Sequence, residues 1–450
     1  MTTQPQSQIP WWKEPTRGQW AAFSAAWVGW VLDAFDFTIY ILVMSQIAKE
    51  FGVSVASVAG SLTLTLLVRL AGGAVSGWMA DRWGRRLPLL LSLVWFAVFD
   101  AAIYFAPSFT WVLVFRTLFG FGMGAEWTAG TALAMESFPA RSRKIASGLL
   151  QAGWPVGFFL AALTAYYVVP AYGWRAMFLI AIAPALLVLP IRFLVPNEHA
   201  HAQGHTVESG RGVLRDLWVP AVRVRVVLGA LVMALGFIVY YGLTTSHTVL
   251  QLRELGLSPQ AAFANVCWFQ VGMLVGVIVA GVIANRVGVI VALVAPAALM
   301  LPALPLFVGA SPGLVTLGSI LGGAFGAGYS GVTPVLVTSL FPEHVRARAI
   351  GLVYHLGALL AAFVPWGIPE LAARTGWKLS TAIELVVGSG LVAMIIAVIS
   401  LRRMLAPATP AIEVVDATAA SVPAPSPATA TVTPVLPPVI ESSRVGASLS

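Results

Sequence analysis

Apolar stretches long enough to cross a bilayer recur twelve times along the chain, separated by short polar breaks. A membrane helix needs about 20 largely apolar residues. The stretches occupy residues 20–46, 56–80, 87–106, 109–137, 146–169, 174–195, 226–248, 260–284, 287–308, 312–340, 349–367 and 379–401. The pattern predicts an all-α membrane protein. Residues 1–17 are polar, and Trp11, Trp12 and Trp20 suit an interfacial aromatic belt. This is not a cleavable signal, so the first span is expected to be retained.

Composition removes the other classes. Charged residues make up only 10% of the 450, against 58% hydrophobic. A soluble domain carries about 25% charge, so this chain lacks the polar surface to be one. The single cysteine, Cys267, excludes an internal disulfide, a multi-cysteine zinc site and an iron–sulfur cluster. A net charge of +8 calls for no nucleic acid, because basic loops on one membrane face produce the same excess. No cofactor is expected.

Lys and Arg set the orientation. With a cytoplasmic N-terminus, 19 of the 26 fall on the cytoplasmic side and 5 on the other, which favours both termini in the cytoplasm. The expected organisation is a cytoplasmic N-terminus (1–17), a six-helix bundle (18–195), a cytoplasmic linker (196–224), a second six-helix bundle (225–404) and a tail (405–450). The linker's His199, His201 and His205 have no carboxylate or cysteine framework, so a solvated segment is expected there. The tail is rich in Ala, Pro, Thr, Val and Ser without helical period, as disordered segments are.

The halves repeat at an offset of 203–204 residues. Gly77-Trp-Met-Ala-Asp81-Arg82-Trp-Gly84 aligns with Gly281-Val-Ile-Ala-Asn285-Arg286-Val-Gly288. Ser137-Phe-Pro aligns with Leu340-Phe-Pro, Gly173-Trp174-Arg175 with Gly376-Trp377-Lys378, and Gly122 and Gly124 with Gly326 and Gly328. Two six-helix bundles in parallel repeat define one large transporter architecture, with its site at the midplane between them. Gly77-x3-Asp81-Arg82-x-Gly84-Arg85-Arg86 resembles the loop 2–3 signature of the major facilitator superfamily. Arg116-x3-Gly120-x-Gly122-x-Gly124-Ala-Glu126-Trp127 resembles that superfamily's fourth-helix signature. Gln19 to Trp27, followed by Leu32-Asp33-Ala34-Phe35-Asp36-Phe37, is similar to the sialate:proton symporter family of sialic acid transporters and lactate/pyruvate permeases. That resemblance is strongest over residues 10–195. The chain lacks the extra central segments of the sialic acid transporters, and Val249 and Leu250 interrupt the lactate permeases' seventh-helix motif after Ser246-His247.

Charge inside a bilayer costs about 2.5–3.5 kcal/mol per residue on insertion scales, so such residues face a cavity or a partner. The first half holds Asp33, Asp36, Arg69, Asp100, Arg116 and Glu126 within its spans; the second holds only His247, His355 and Glu384. Asp33 and Asp36 share a helix face and lie near the midplane, level with Arg69. Two close carboxylates resist double ionisation. One free to titrate beside one bound to Arg69 would make a proton-coupling element; the alternative is a permanent Asp–Arg brace. Glu126 would pass a proton toward the cytoplasm or sit paired there. Arg69 and Arg116 are the candidates to bind a substrate carboxylate, with a salt bridge as the alternative for Arg116. Asp100 is expected to make a local polar contact.

By resemblance, Asp81, Arg82, Gly84, Arg85 and Arg86 form a gating latch, with Arg85 pairing Glu136; the alternative is that the arginines only fix topology. Ser246-His247 would help admit the carboxylate, against an interfacial histidine. His355 reads as a packing residue. Gln151 and Gln270 would orient a polar substrate, with Trp154, Tyr240 and Tyr241 as aromatic walls.

No nucleotide-binding Gly-Lys-Ser/Thr loop, zinc HExxH or Gly-x-Ser-x-Gly elbow is present, so neither ATP-driven transport nor an enzyme is supported. The expectation is a monomeric secondary transporter of a bacterial inner membrane, carrying a small organic acid such as lactate or pyruvate with protons by alternating access. The alternatives are a proton-coupled exporter or antiporter of the same fold, or sialic acid uptake.

Overall fold

The computed structural model describes residues 11–83, 86–137, 143–182, 220–309, 312–341 and 346–405. The helices are α1 (Arg17–Phe51), α2 (Val55–Trp83), α3 (Arg86–Ala102), α4 (Phe109–Ser137), α5 (Arg143–Tyr172) and α6 (Ala176–Ile180) in the first half. The second half holds α7 (Pro220–Arg253), α8 (Pro259–Val287), α9 (Val289–Phe307), α10 (Val315–Gly326), α11 (Thr333–Leu340), α12 (Arg346–Ala361), α13 (Val364–Thr375) and α14 (Leu379–Leu405). Among the described residues, eight helical stretches are long and apolar enough to cross a membrane. Of the other four expected spans, the third and fourth contain shorter apolar helices, Leu90–Phe105 and Phe109–Gly124. The tenth is split between α10 and α11, and the sixth is described only as far as residue 182.

Local chemistry explains the ends. α1 starts on a capping box, with the Gln19 amide donating to Thr16 Oγ1 (3.2 Å) and the Thr16 amide to Gln19 Oε1 (2.8 Å). It ends at Gly52, whose left-handed φ of 63° suits a residue without a Cβ. The split between α10 and α11 falls in the glycine-rich run Gly326 to Gly331, which forms a 3-10 turn instead of continuing the helix.

The sequence repeat reappears as repeated packing. α2 crosses α4 as α8 crosses α10; α1 packs on α5 as α7 packs on α12; α3 lies on α4 as α9 lies on α10. Glycine makes the crossings close. A Cβ at Gly120 would overlap the backbone of Thr65, and one at Gly323 that of Phe269, the Thr65 counterpart. Glu50 follows the rule at the ends of α1 and α7. It accepts from Trp174 Nε1 (2.6 Å) and Arg175 Nη2 (2.8 Å), while Glu254 accepts from the Ser380 amide (3.1 Å). Two residues beyond each glutamate stands a positive-φ glycine, Gly52 and Gly256.

The halves join through α5 against α8 and α2 against α13. The second junction lies where α1 ends and α2 begins, with the Trp366 ring in van der Waals reach of Gly60. At that end residues 239–250 of α7 are buried throughout.

Candidate functional site

A cavity with an empty volume of about 690 Å³ lies between the halves. The first half lines it with Trp30 from α1, Arg69 from α2, and Gln151 and Trp154 from α5. The second half contributes residues of α7, Met273 of α8, Tyr329 and Ser330 of the 3-10 turn, Thr333 of α11 and Tyr354 of α12. The α7 residues Met233, Phe237, Tyr240 and Tyr241 follow helical spacing and share a face.

Among the described residues, Arg69 is the one charged residue in this lining. It is 4% exposed, with Nη2 4.0 Å from Asp33 Oδ2. It also hydrogen-bonds the Tyr354 side chain, across the gap between the halves. A second cross-half bond runs from Trp154 Nε1 to the Tyr240 hydroxyl (2.5 Å). Gln151 presents an amide oxygen with no hydrogen-bond partner. Pro155, four residues on, cannot donate to the Gln151 carbonyl, so the helix leaves that acceptor over as well.

Behind the cavity the first half buries further charge. Arg116 Nη1 donates to Asp100 Oδ1 at 3.0 Å, with both side chains fully inaccessible. The guanidinium also lies over the rings of Tyr40 (4.5 Å) and Phe119 (4.2 Å). Asp36, 1% exposed, sits between the two arginine pairs: its charged neighbours are Asp33, Asp100 and Arg116. Its Oδ1 has no hydrogen-bond partner. Asp33, Asp36, Asp100, Arg69 and Arg116 thus form one buried cluster of three carboxylates and two guanidinium groups. With every group ionised it carries one net negative charge.

The expected site residues therefore separate. Asp33, Asp36 and Arg69 come together, and Gln151 and Arg69 share the cavity. Arg116 does not line it and is held by Asp100 inside the first bundle. His247 does not line it either. It is 2% exposed, receives a hydrogen bond from Gln251 Nε2 (2.5 Å), lies 3.1 Å from Ser319 Oγ and stacks on Phe307 at 4.7 Å. Asn265 and Thr316 extend that network, bonding Gln251 Oε1 (3.0 Å) and Asn265 Oδ1 (2.7 Å). Gln270 is buried without a hydrogen-bond partner and lies outside the lining.

Asp81, Arg86, Glu126 and Glu136 occupy helix backbone, with their side chains outside the described set. Gly84 and Arg85 lie outside the described residues. Arg82 is exposed, with its guanidinium 5.6 Å from the Trp83 ring. The linker histidines and the tail are likewise outside the described residues.

Met233, Phe237, Met273 and Tyr329 were not singled out by motif. For Phe237 and Met273 the signal was available in the repeat: at an offset of 204 Asp33 corresponds to Phe237, Asp36 to Tyr240 and Arg69 to Met273, and at 203 Gln151 corresponds to Tyr354.

Two halves that repeat one helical packing around a central cavity define a membrane secondary transporter. The chain belongs to the Major Facilitator Superfamily, whose family model matches residues 26–269, more than half its length. A cis,cis-muconate transport protein of Acinetobacter baylyi is 30% identical over 364 residues, covering 78% of this chain and 87% of the relative. A gentisate transporter of Corynebacterium glutamicum is 29% identical, covering 76% and 79%. A sialic acid transporter of Escherichia coli is 26% identical, covering 86% and 95%. In fold, the chain resembles a D-xylose–proton symporter with a TM-score of 0.69 at 19% identity, covering 86% of this chain and 98% of that one. The relatives are transporters, and the chain is not an enzyme.

Proposed function

We propose that the protein is a symporter that carries a small organic acid together with a proton. The observation that carries this reading is Arg69, the one cation among the described residues of the cavity lining, backed by a buried cluster of three carboxylates and two guanidinium groups. A carboxylate entering the cavity would take the Arg69 guanidinium in place of Asp33 or Tyr354, using its fork of donors. That adds a negative charge where uncompensated charge is costly. A proton on Asp36 or Asp33 offsets it. Anion and proton then favour each other's binding, which is the condition for symport; in antiport they would compete. The ring-lined cavity fits a flat unsaturated acid better than a polyhydroxylated sugar acid, and the named substrates muconate and gentisate of two relatives agree with this.

In the proposed cycle the halves rock about the cavity. Glu126 would hand the proton on toward the cytoplasm. Asp81, Arg82, Gly84, Arg85, Arg86 and Glu136 would latch the cytoplasmic face when the outer face opens. The positive-inside orientation puts both termini in the cytoplasm, so the packed end at Gly60 and Trp366 would be the outer one.

Purified protein in liposomes with an internal pH dye, given a panel of organic acids, tests the proposal. Acidification above that of protein-free liposomes, specific to some acids, is expected. Uptake of a labelled acid without proton movement would overturn the coupling. No uptake of any acid under either direction of proton gradient would overturn the substrate class.

A further inference from the structure

We infer that recognition is divided between Arg69, which reads the substrate's charge, and the second-half wall, which reads the shape of its body, with Phe237 and Met273 deciding which acids are accepted. The inference rests on the reading that Arg69 binds a carboxylate.

The observation is a chemical asymmetry on a symmetric scaffold. Repeat-related positions face the same central space from opposite sides. In the first half they hold Arg69 and Gln151; in the second they hold Met273 and Tyr354, while Phe237 lines the cavity at the position equivalent to Asp33, which is buried beside Arg69. The alignment is fixed close by, since the positive-φ pairs Gly52/Gly256 and Gly173/Gly376 keep the same offsets. Every polar or charged group of the first set has a ring or a thioether as its counterpart.

Three of the second-half tyrosine hydroxyls are already hydrogen-bonded. Tyr329 donates to the Gly236 carbonyl (2.6 Å), Tyr240 accepts from Trp154, and Tyr354 bonds Arg69. What Phe237 and these tyrosines present most broadly to a ligand is ring surface. The rings are set in advance: Phe237 stacks on Tyr241 with centroids 5.5 Å apart and planes 15° apart, and Tyr354 meets Phe237 edge-on at 5.2 Å. A flat conjugated body lies against such a surface, while a puckered ring of equal carbon count does not. Met273 supplies an adaptable contact beside it. An apolar wall discriminates by about ten- to two-hundredfold per misplaced methylene, whereas Arg69 gains the same contact from every carboxylate.

Benzoate and cyclohexanecarboxylate, equal in carbon count and charge, separate the two functions, with benzamide as the uncharged control. Affinities would be measured by calorimetry on the purified full-length protein and on Phe237→Ala, Met273→Leu and Arg69→Gln. The wild type is expected to favour benzoate over cyclohexanecarboxylate by about tenfold or more and to ignore benzamide. Phe237→Ala should collapse that ratio while still rejecting benzamide. Arg69→Gln should weaken both acids alike and leave their ratio unchanged. Met273→Leu, a conservative change, should shift the ratio even if Phe237→Ala does not fold. A ratio that moves only with Arg69, or stays fixed in both second-half variants, overturns the inference while leaving carboxylate binding intact. Benzamide bound as well as benzoate, or no acid bound, overturns the Arg69 reading and the inference with it.

Discussion

Arg116 and Asp100 form a 3.0 Å ion pair sealed inside the first bundle, and neither side chain lines the cavity. Arg69, by contrast, lies 4.0 Å from Asp33 and faces the space between the halves. Two arginines alike in sequence thus take different work, one bracing helices and one poised for an anion.

Asp100→Asn should therefore act on stability, because it strands a buried guanidinium. Breaking a buried pair costs about 3–5 kcal/mol, while replacing both partners with apolar residues is often neutral. The single variant should melt well below the wild type in detergent, and Asp100→Leu with Arg116→Met should recover most of the loss. The double variant removes one charge of each sign, so it should also transport. Thermal melting and labelled-acid uptake on the same preparations check both points.

Asp36→Asn should abolish proton-driven accumulation and preserve exchange of acid for acid. The substitution removes the net negative charge of the buried cluster and with it the need for a proton. Counterflow in liposomes reports exchange, and uptake driven by an imposed pH gradient reports coupling. Normal accumulation by the variant would reject Asp36 as the proton carrier.

Gly120→Val should disable the protein by separating α2 from α4. A Cβ at Gly120 would approach Thr65 Cα to 2.8 Å and collide with its carbonyl oxygen, where only backbone can yield. Overpacking a close contact costs about 1–3 kcal/mol or more. Lower melting temperature and lower yield are expected, whereas Gly313→Ala, at a position with open space around it, should be silent.

His247→Gln should leave acid affinity and the pH profile of uptake unchanged, at a stability cost of about 1–3 kcal/mol. His247 sits within the second bundle among Gln251, Ser319 and Phe307, away from the cavity lining. Weakened acid affinity or a shifted pH profile would return His247 to the path that admits the carboxylate.

The chain's own sequence determined the membrane setting, the helical architecture and the repeat. These follow from local properties: twenty-residue apolar runs can satisfy their backbone in lipid only as helices, and glycine spacing marks where helices cross. It also named Asp33, Asp36 and Arg69, since helical periodicity alone puts the aspartates on one face. What it could not decide was which buried charges meet. Arg69 and Arg116 both sit mid-span, and only the crossing of α2 with α1 and of α4 with α3 gives each its carboxylate. His247 stands on the same face of α7 as the cavity residues by rough spacing, yet lies farther along the helix, where neighbouring spans enclose it. The aromatic wall of Phe237, Tyr241, Tyr329 and Tyr354 depends on rings from three separate segments converging, and Tyr329 arrives there through a break in helix that glycines permit. Local pattern sets each helix and its faces; the partners across a cavity are set by packing between residues about two hundred positions apart.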